Sequence, residues 1–113
     1  MRMRTLAVAA GLMLAACGPS DPREAHIDNI EDQAEAAADA IEDAADNEVH
    51  RIRTEAEALE QQAATINGFE AARIQARAEG LREEAQVVAK QGKAKARAVR
   101  DQARAEVSAI RAE

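Results

Sequence analysis

Few side chains in this 113-residue chain are equipped for chemistry, and their spacing is informative mainly in what it excludes. The two imidazoles, His26 and His50, lie 24 positions apart. Only Asp46 stands one helical turn from His50, which gives two ligands where a zinc site needs three or four. Ser20, Thr54, Thr65 and Ser108 have no His or Lys partner at a catalytic motif spacing. No glycine-rich phosphate loop is present, since Gly80 and Gly92 stand singly. The carboxylates are numerous, yet a chain this poor in bulky residues offers no apolar pocket to raise one towards neutrality. No catalytic residue and no metal ligand set is expected. The remaining reactive group is the single thiol, Cys17, which has no cysteine partner within the chain.

The residues before Cys17 give that thiol a context. Arg2 and Arg4 form a basic start and Thr5 to Leu14 an apolar run too short to span a bilayer as a helix. Ala15 and Ala16 supply small residues at a processing site. Leu14-Ala15-Ala16-Cys17 resembles the lipobox of bacterial lipoproteins, position for position. The resemblance covers residues 1–17 and implies cleavage before Cys17, with diacylglycerol on its sulfur and a palmitate-type N-acyl chain on its amine. No other cofactor is expected. In such lipoproteins Asp after the cysteine favours the inner membrane. Here Gly18 follows, so the resemblance implies the inner leaflet of the outer membrane with a periplasmic body; the periplasmic face of the inner membrane is the alternative.

Without residues 1–16 the chain has 97 residues and a net charge of −8 from 13 basic and 21 acidic groups. Val, Ile, Leu and Phe number 15, with Phe69 the one aromatic, so a broad globular core is out of reach. Ala, Glu, Arg, Lys and Leu make up 54 of the 97, a composition of long helices. An apolar stripe at steps of three and four runs Ile27, Ile30, Ala34, Ala37, Ile41, Ala45, Val49, Ile52, Ala56, Leu59, Ala63, Ile66. A second runs Ile74, Ala78, Leu81, Ala85, Val88, Gly92, Ala96, Val99, Ala103, Val107, Ile110. Both are narrow seams of coiled-coil type, and consecutive steps of four shift the repeat towards eleven residues.

Asp21, Pro22 and Glu24 form a helix start of capping-box type, and Asn67-Gly68 is the next break. Gly68 suits the left-handed end of one helix, and Asn67 with Glu70 the start of the next. The fold class expected is therefore all-α: a signal peptide at 1–16, a tether at 17–21, and a helical hairpin at 22–113. Its arms would be 22–66 and 69–112, with the turn at 67–68. One continuous helix remains an alternative. So does a three-helix arrangement broken at Asp46-Asn47-Glu48, with Thr54 to Glu57 as a second capping box.

Charge favours the hairpin. Ten acidic and no basic residues fill 24–48, whereas 87–111 carries seven Lys and Arg against Asp101 and Glu106. Like charges four apart cost an isolated helix about 0.2–0.5 kcal/mol a pair. Folding back at Asn67-Gly68 sets residue i beside about 135 − i, so the acidic block meets the basic one along its length. Ile27 and Ile30 would then face Val107 and Ile110, Ile52 would fall near Leu81 and Ala85, and Ile66 with Phe69 would close the turn. An antiparallel dimer of rods satisfies the same pairing.

The functional expectation is a non-enzymatic envelope lipoprotein, a spacer or docking scaffold held to the membrane by its lipid. In organisation it resembles the murein lipoproteins, but it ends Arg111-Ala112-Glu113 without their C-terminal lysine. The partners implied are the membrane, peptidoglycan or a periplasmic protein, and further copies of the chain. Nucleic acid is not expected, because the basic stretch Lys90 to Arg104 has no stacking aromatic. Two other readings stand beside it: a module that orders on a periplasmic partner, and a protective helical protein resembling the late-embryogenesis type.

Overall fold

The computed structural model describes residues 21–113; Leu14, Ala15, Ala16 and Cys17 lie outside them. Two α-helices of equal length, α1 (Pro22–Ala64) and α2 (Phe69–Arg111), pack against each other as an antiparallel hairpin. Each has 43 residues, which corresponds to about 64 Å.

The start of α1 follows from its residues. The Asp21 side chain accepts a hydrogen bond from the Arg23 backbone N–H at 2.9 Å, and Pro22 occupies the first turn, where its missing N–H costs nothing. α1 then continues unbroken through Asp46-Asn47-Glu48, so the three-helix alternative fails. Thr54 does not cap a new helix; its hydroxyl donates to the His50 carbonyl one turn back at 2.9 Å. The continuous-rod alternative fails at residues 65–68, where the chain reverses.

The reversal is wider than Asn67-Gly68. α1 ends at Ala64, and the Thr65 hydroxyl donates to the Gln62 carbonyl at 2.8 Å, meeting one of the acceptors a helix end leaves open. Gly68 stands at the N-cap of α2 rather than at the end of α1. Its φ of 79° and ψ of −147° lie in a region essentially closed to residues with a Cβ. Its carbonyl accepts from the Ala72 N–H at 3.2 Å, the first bond of α2. Asn67 is therefore a turn residue and not the cap.

The interface is a single seam, buried at Ile27, Ala38, Val49, Ile52, Ala56 and Ala63 on α1 and at Ala78, Ala85, Gly92, Ala96, Ala103 and Val107 on α2. Val49, Ile52 and Ala85 form its densest cluster, with Leu81, Val88 and Ala89 packed against them. Complete burial of a side chain such as Ile52 contributes about 1.5–3 kcal/mol. Ala45 lies against Gly92 and Ile52 against Ala85, so residue i sits beside 137 − i, two residues from the expected sum.

Two positions differ from expectation, one in the first stripe and one at the turn. Ala38 is fully buried and Ala37 is exposed, so the steps here are 30-34-38-41-45-49. In the run Ala36-Ala37-Ala38, identical side chains carry no periodic signal, and the helical phase set by Ile30 and Ile41 decides. Phe69 does not close the turn: it is 82% exposed, because the seam of α2 begins at half-buried Ala71 and Ile74.

Candidate functional site

Gly92 organises the middle of the hairpin. A Cβ on it would overlap the Ala45 Cβ, so the two backbones approach more closely here than any pair of alanines would permit. At Gly80, by contrast, an added Cβ would meet nothing within 4 Å. The two glycines look alike as isolated breaks in a helical sequence, yet only Gly92 is set by packing.

On either side of the seam the hairpin presents two different faces. From Ile30 to Ala45 on α1 and from Gly92 to Ala103 on α2, the residue following each seam position is charged: Glu31, Glu35, Asp39, Glu42 and Asp46, and Lys93, Arg97, Arg100 and Arg104. The residue preceding each is mostly small or uncharged: Asn29, Gln33, Ala37, Ala40 and Ala44 on α1, and Gln91, Lys95, Ala98 and Gln102 on α2. Shallow grooves mark both sides of the Ala45–Gly92 contact. Glu42, Asp46, Ala89 and Lys93 line one groove, whereas Ile41, Ala44, Val88 and Gln91 line the other, with Glu48 and Lys95 at its rim.

The charged face holds the inter-arm ion pairs. Arg100 spans three acids of α1: it meets Glu35 at 2.8 Å, Glu42 at 2.8 Å and Asp39 at 3.4 Å. Nearer the turn, Arg82 meets Glu60 through two donors at 2.7 and 2.9 Å, the fork geometry a guanidinium favours. Hydrogen bonding from Arg100 holds the Glu35 carboxyl below the usual carboxylate range, and Arg82 does the same to Glu60. The bonds to Glu35 and then Glu42 raise the Arg100 guanidinium in turn. Other pairs stay within one helix, as Arg51–Glu48, Arg73–Glu70 and Arg104–Asp101 do.

The acidic and basic blocks thus do not interlock along their whole length. Among the described residues, Glu24, Asp28, Glu31, Asp32, Asp43 and Asp46 make no ion pair, nor do Lys90, Lys93, Lys95, Arg97 and Arg111. Geometry explains part of the shortfall. At 100° per residue, Asp32, Asp43 and Lys90, two positions past a seam residue, point away from the opposite arm; Asp46, Lys93 and Arg97 lie immediately beside the seam and are exposed.

His26 and His50 are exposed, as are Thr54, Thr65 and Ser108. Among the described residues no three His, Cys, Asp or Glu side chains converge as a metal site, and no helix is long and apolar enough to cross a membrane. The difference between the two faces and the packing role of Gly92 escaped sequence reasoning. The signal for the faces was available: it is the contrast between the residues one before and one after the stripe positions from Ile30 to Ala45 and from Gly92 to Ala103. Compared with protein families, with curated proteins and with solved structures, the chain matches none.

Proposed function

We propose that the protein is a non-enzymatic lipoprotein of the cell envelope, anchored by acyl chains on Cys17 and acting as a spacer or docking scaffold. The observation that carries this reading is the shape of the hairpin in relation to the lipobox-like Leu14-Ala15-Ala16-Cys17. α1 begins at Pro22, five residues after Cys17 in the sequence, and α2 returns to the same end, so the turn at 65–68 stands about 64 Å from the open end of the hairpin. The exposed surface consists of two long, shallow faces, a form suited to contacts with other macromolecules and not to enclosing a small substrate. The outer membrane, with the body in the periplasm, is the location that Gly18 supports.

The test is metabolic labelling with radioactive palmitate. The wild-type chain is expected to take up label and partition with the membrane, while Cys17→Ser remains unlabelled and unprocessed. Equal labelling of both would overturn the anchor. Purified peptidoglycan sacculi then separate wall binding from spacing alone. The alternative of a module that orders on a partner draws on the open-end half of the seam, where Ala38, Ala45, Gly92 and Ala96 bury little bulk. In that case the isolated chain would be largely unfolded by circular dichroism. A protective helical protein would instead gain helix on drying.

A further inference from the structure

We propose that the uncharged face of the open-end half docks on the same face of a second copy of the chain, the two hairpins lying antiparallel across it. The inference does not rest on the lipid anchor. It starts from how the charges are sorted. Of the ten acidic residues between Glu24 and Glu48, only Glu48 projects on the side that precedes the seam; at 100° per residue the others fall on the opposite side or the back of α1. On α2, the same side of 87–111 carries two charges, Lys95 and Glu106. Contact with water gives a chain this rich in charge no reason to clear one flank of both helices, whereas the centre of a protein interface is depleted of charge. Ile30, Ile41, Val88 and Val99 remain half-buried at the floor of that flank.

The few charges left on the face choose the occupant. A two-fold axis crossing the hairpin at the level of Ala37 and Arg100 lays α1 over α1 of the second copy and α2 over its α2, each reversed. Lys95 of each chain then stands level with Glu106 of the other, and Glu48 with His26, one turn from Arg23. The two arms fix this axis independently. Lys95 and Glu106 have their midpoint at 100–101, which the register sets beside 36–37, and Glu48 and His26 have theirs at 37. Within its own chain Glu106 accepts from Gln102 at 3.3 Å, and α1 offers it no Lys or Arg between Arg23 and Arg51. Glu48 shares a groove with Lys95 but is bonded to Arg51. A two-fold axis along the hairpin would instead lay Lys95 and Glu106 on the bare flank of the other α1, with no counter-charge for either. Between the charged pairs the surfaces are small: Ala37 meets its own copy on the axis, and Ile30 comes level with Ala44. About 25 residues of each helix take part, a footprint of about 700 Å² per chain, close to the roughly 800 Å² per partner of a stable interface. The open ends lie roughly 40 Å apart and the turns point in opposite directions, a form that suits a docking scaffold and not an upright spacer.

The experiment uses the full chain at micromolar concentration in a non-ionic detergent. Sedimentation velocity compares wild type with Ala37→Glu, Lys95→Glu, Glu106→Lys and the double variant Lys95→Glu with Glu106→Lys. All three positions are exposed, and circular dichroism checks that helix is retained. The wild type should be dimeric, and Ala37→Glu, which sets two carboxylates against each other on the axis, monomeric. Each single charge variant should dimerise roughly tenfold more weakly, and the double variant should recover the wild-type affinity. In a Cys17→Ser background, Ala37→Cys should oxidise to a covalent dimer, whereas Asp39→Cys on the charged face should not. A monomeric wild type overturns the proposal, as does a dimer that survives Ala37→Glu. So does a dimer without the Ala37→Cys crosslink, or a double variant no stronger than the single ones. If Ala37→Glu loses helix, the crosslink and the charge exchange decide.

Discussion

The half of the hairpin next to the turn and the half at its open end are built from the same two helices by different rules. Near the turn the seam positions fall at 52-56-59-63 and 74-78-81-85, alternating steps of four and three. Ile52 and Leu81 supply bulk there, and one Arg82–Glu60 fork joins the arms. Towards the open end the pattern becomes three-four-four. Ile27, Ala38 and Val49 are buried at intervals of eleven, and so are Ala85, Ala96 and Val107. A seven-residue repeat calls for a left-handed supercoil, whereas an eleven-residue repeat calls for straight or slightly right-handed packing. The open-end half therefore adds close approach at Ala45–Gly92 and the three-acid contact of Arg100 to the burial of Ile27 and Val107, whereas the turn-proximal half concentrates aliphatic volume around Ile52.

Substitutions should separate these regions. The largest effect is expected from Ile52→Ala, which empties a fully buried site in the turn-proximal cluster and should cost about 2–5 kcal/mol in urea unfolding. A loss well below that range would mean that the cluster does not carry the hairpin. Next comes Gly92→Ala. Its added methyl meets the Ala45 Cβ, and overpacking of this kind costs about 1–3 kcal/mol even though alanine is the better helix former. Hydrogen exchange should accelerate in the open-end half and not near the turn. Gly80→Ala is the control: with open space around it, the gain in helix propensity should stabilise the protein by about 0.5–1 kcal/mol. Equal responses at the two glycines would erase the distinction between them.

The smallest effect concerns pH. Because Arg100 holds the Glu35 carboxyl below its usual range, its contribution to pairing is present above the ordinary carboxylate pKa of about 4.3 and is lost as pH falls through the depressed value. Carbon-detected NMR titration should place Glu35 below that ordinary value in the wild type and return it upward in Arg100→Gln. Acidification should loosen the open end only below about pH 4. Loosening near neutrality would point to a group other than this carboxylate.

Most of the architecture was legible in the sequence because it rests on local rules. Asp21-Pro22 specifies a helix start, Gly68 a backbone conformation others avoid, and the stripes a two-helix seam. The register was two residues out: a turn at 67–68 sets the sum at 135, whereas the Ala45–Gly92 contact sets it at 137. Ala37 was chosen over Ala38 because a run of alanines hides helical phase. Phe69 was assigned to the turn by bulk, yet its position at the first residue of α2 precedes the seam. The charge blocks indicated which arms pair but not which residues meet, because reach across a seam depends on angle as well as height. Nor did propensity distinguish Gly92 from Gly80; what separates them is the neighbour each has on the opposite arm.

The central claim is that α1 and α2 of one chain lie together in the register that sets Val49 beside Val88. Disulfide formation between Val49→Cys and Val88→Cys, in a Cys17→Ser background, tests it most directly at nanomolar concentration and high salt. The account predicts rapid oxidation to a crosslinked monomer of altered electrophoretic mobility. Covalent dimers alone, or thiols that stay free, would contradict it.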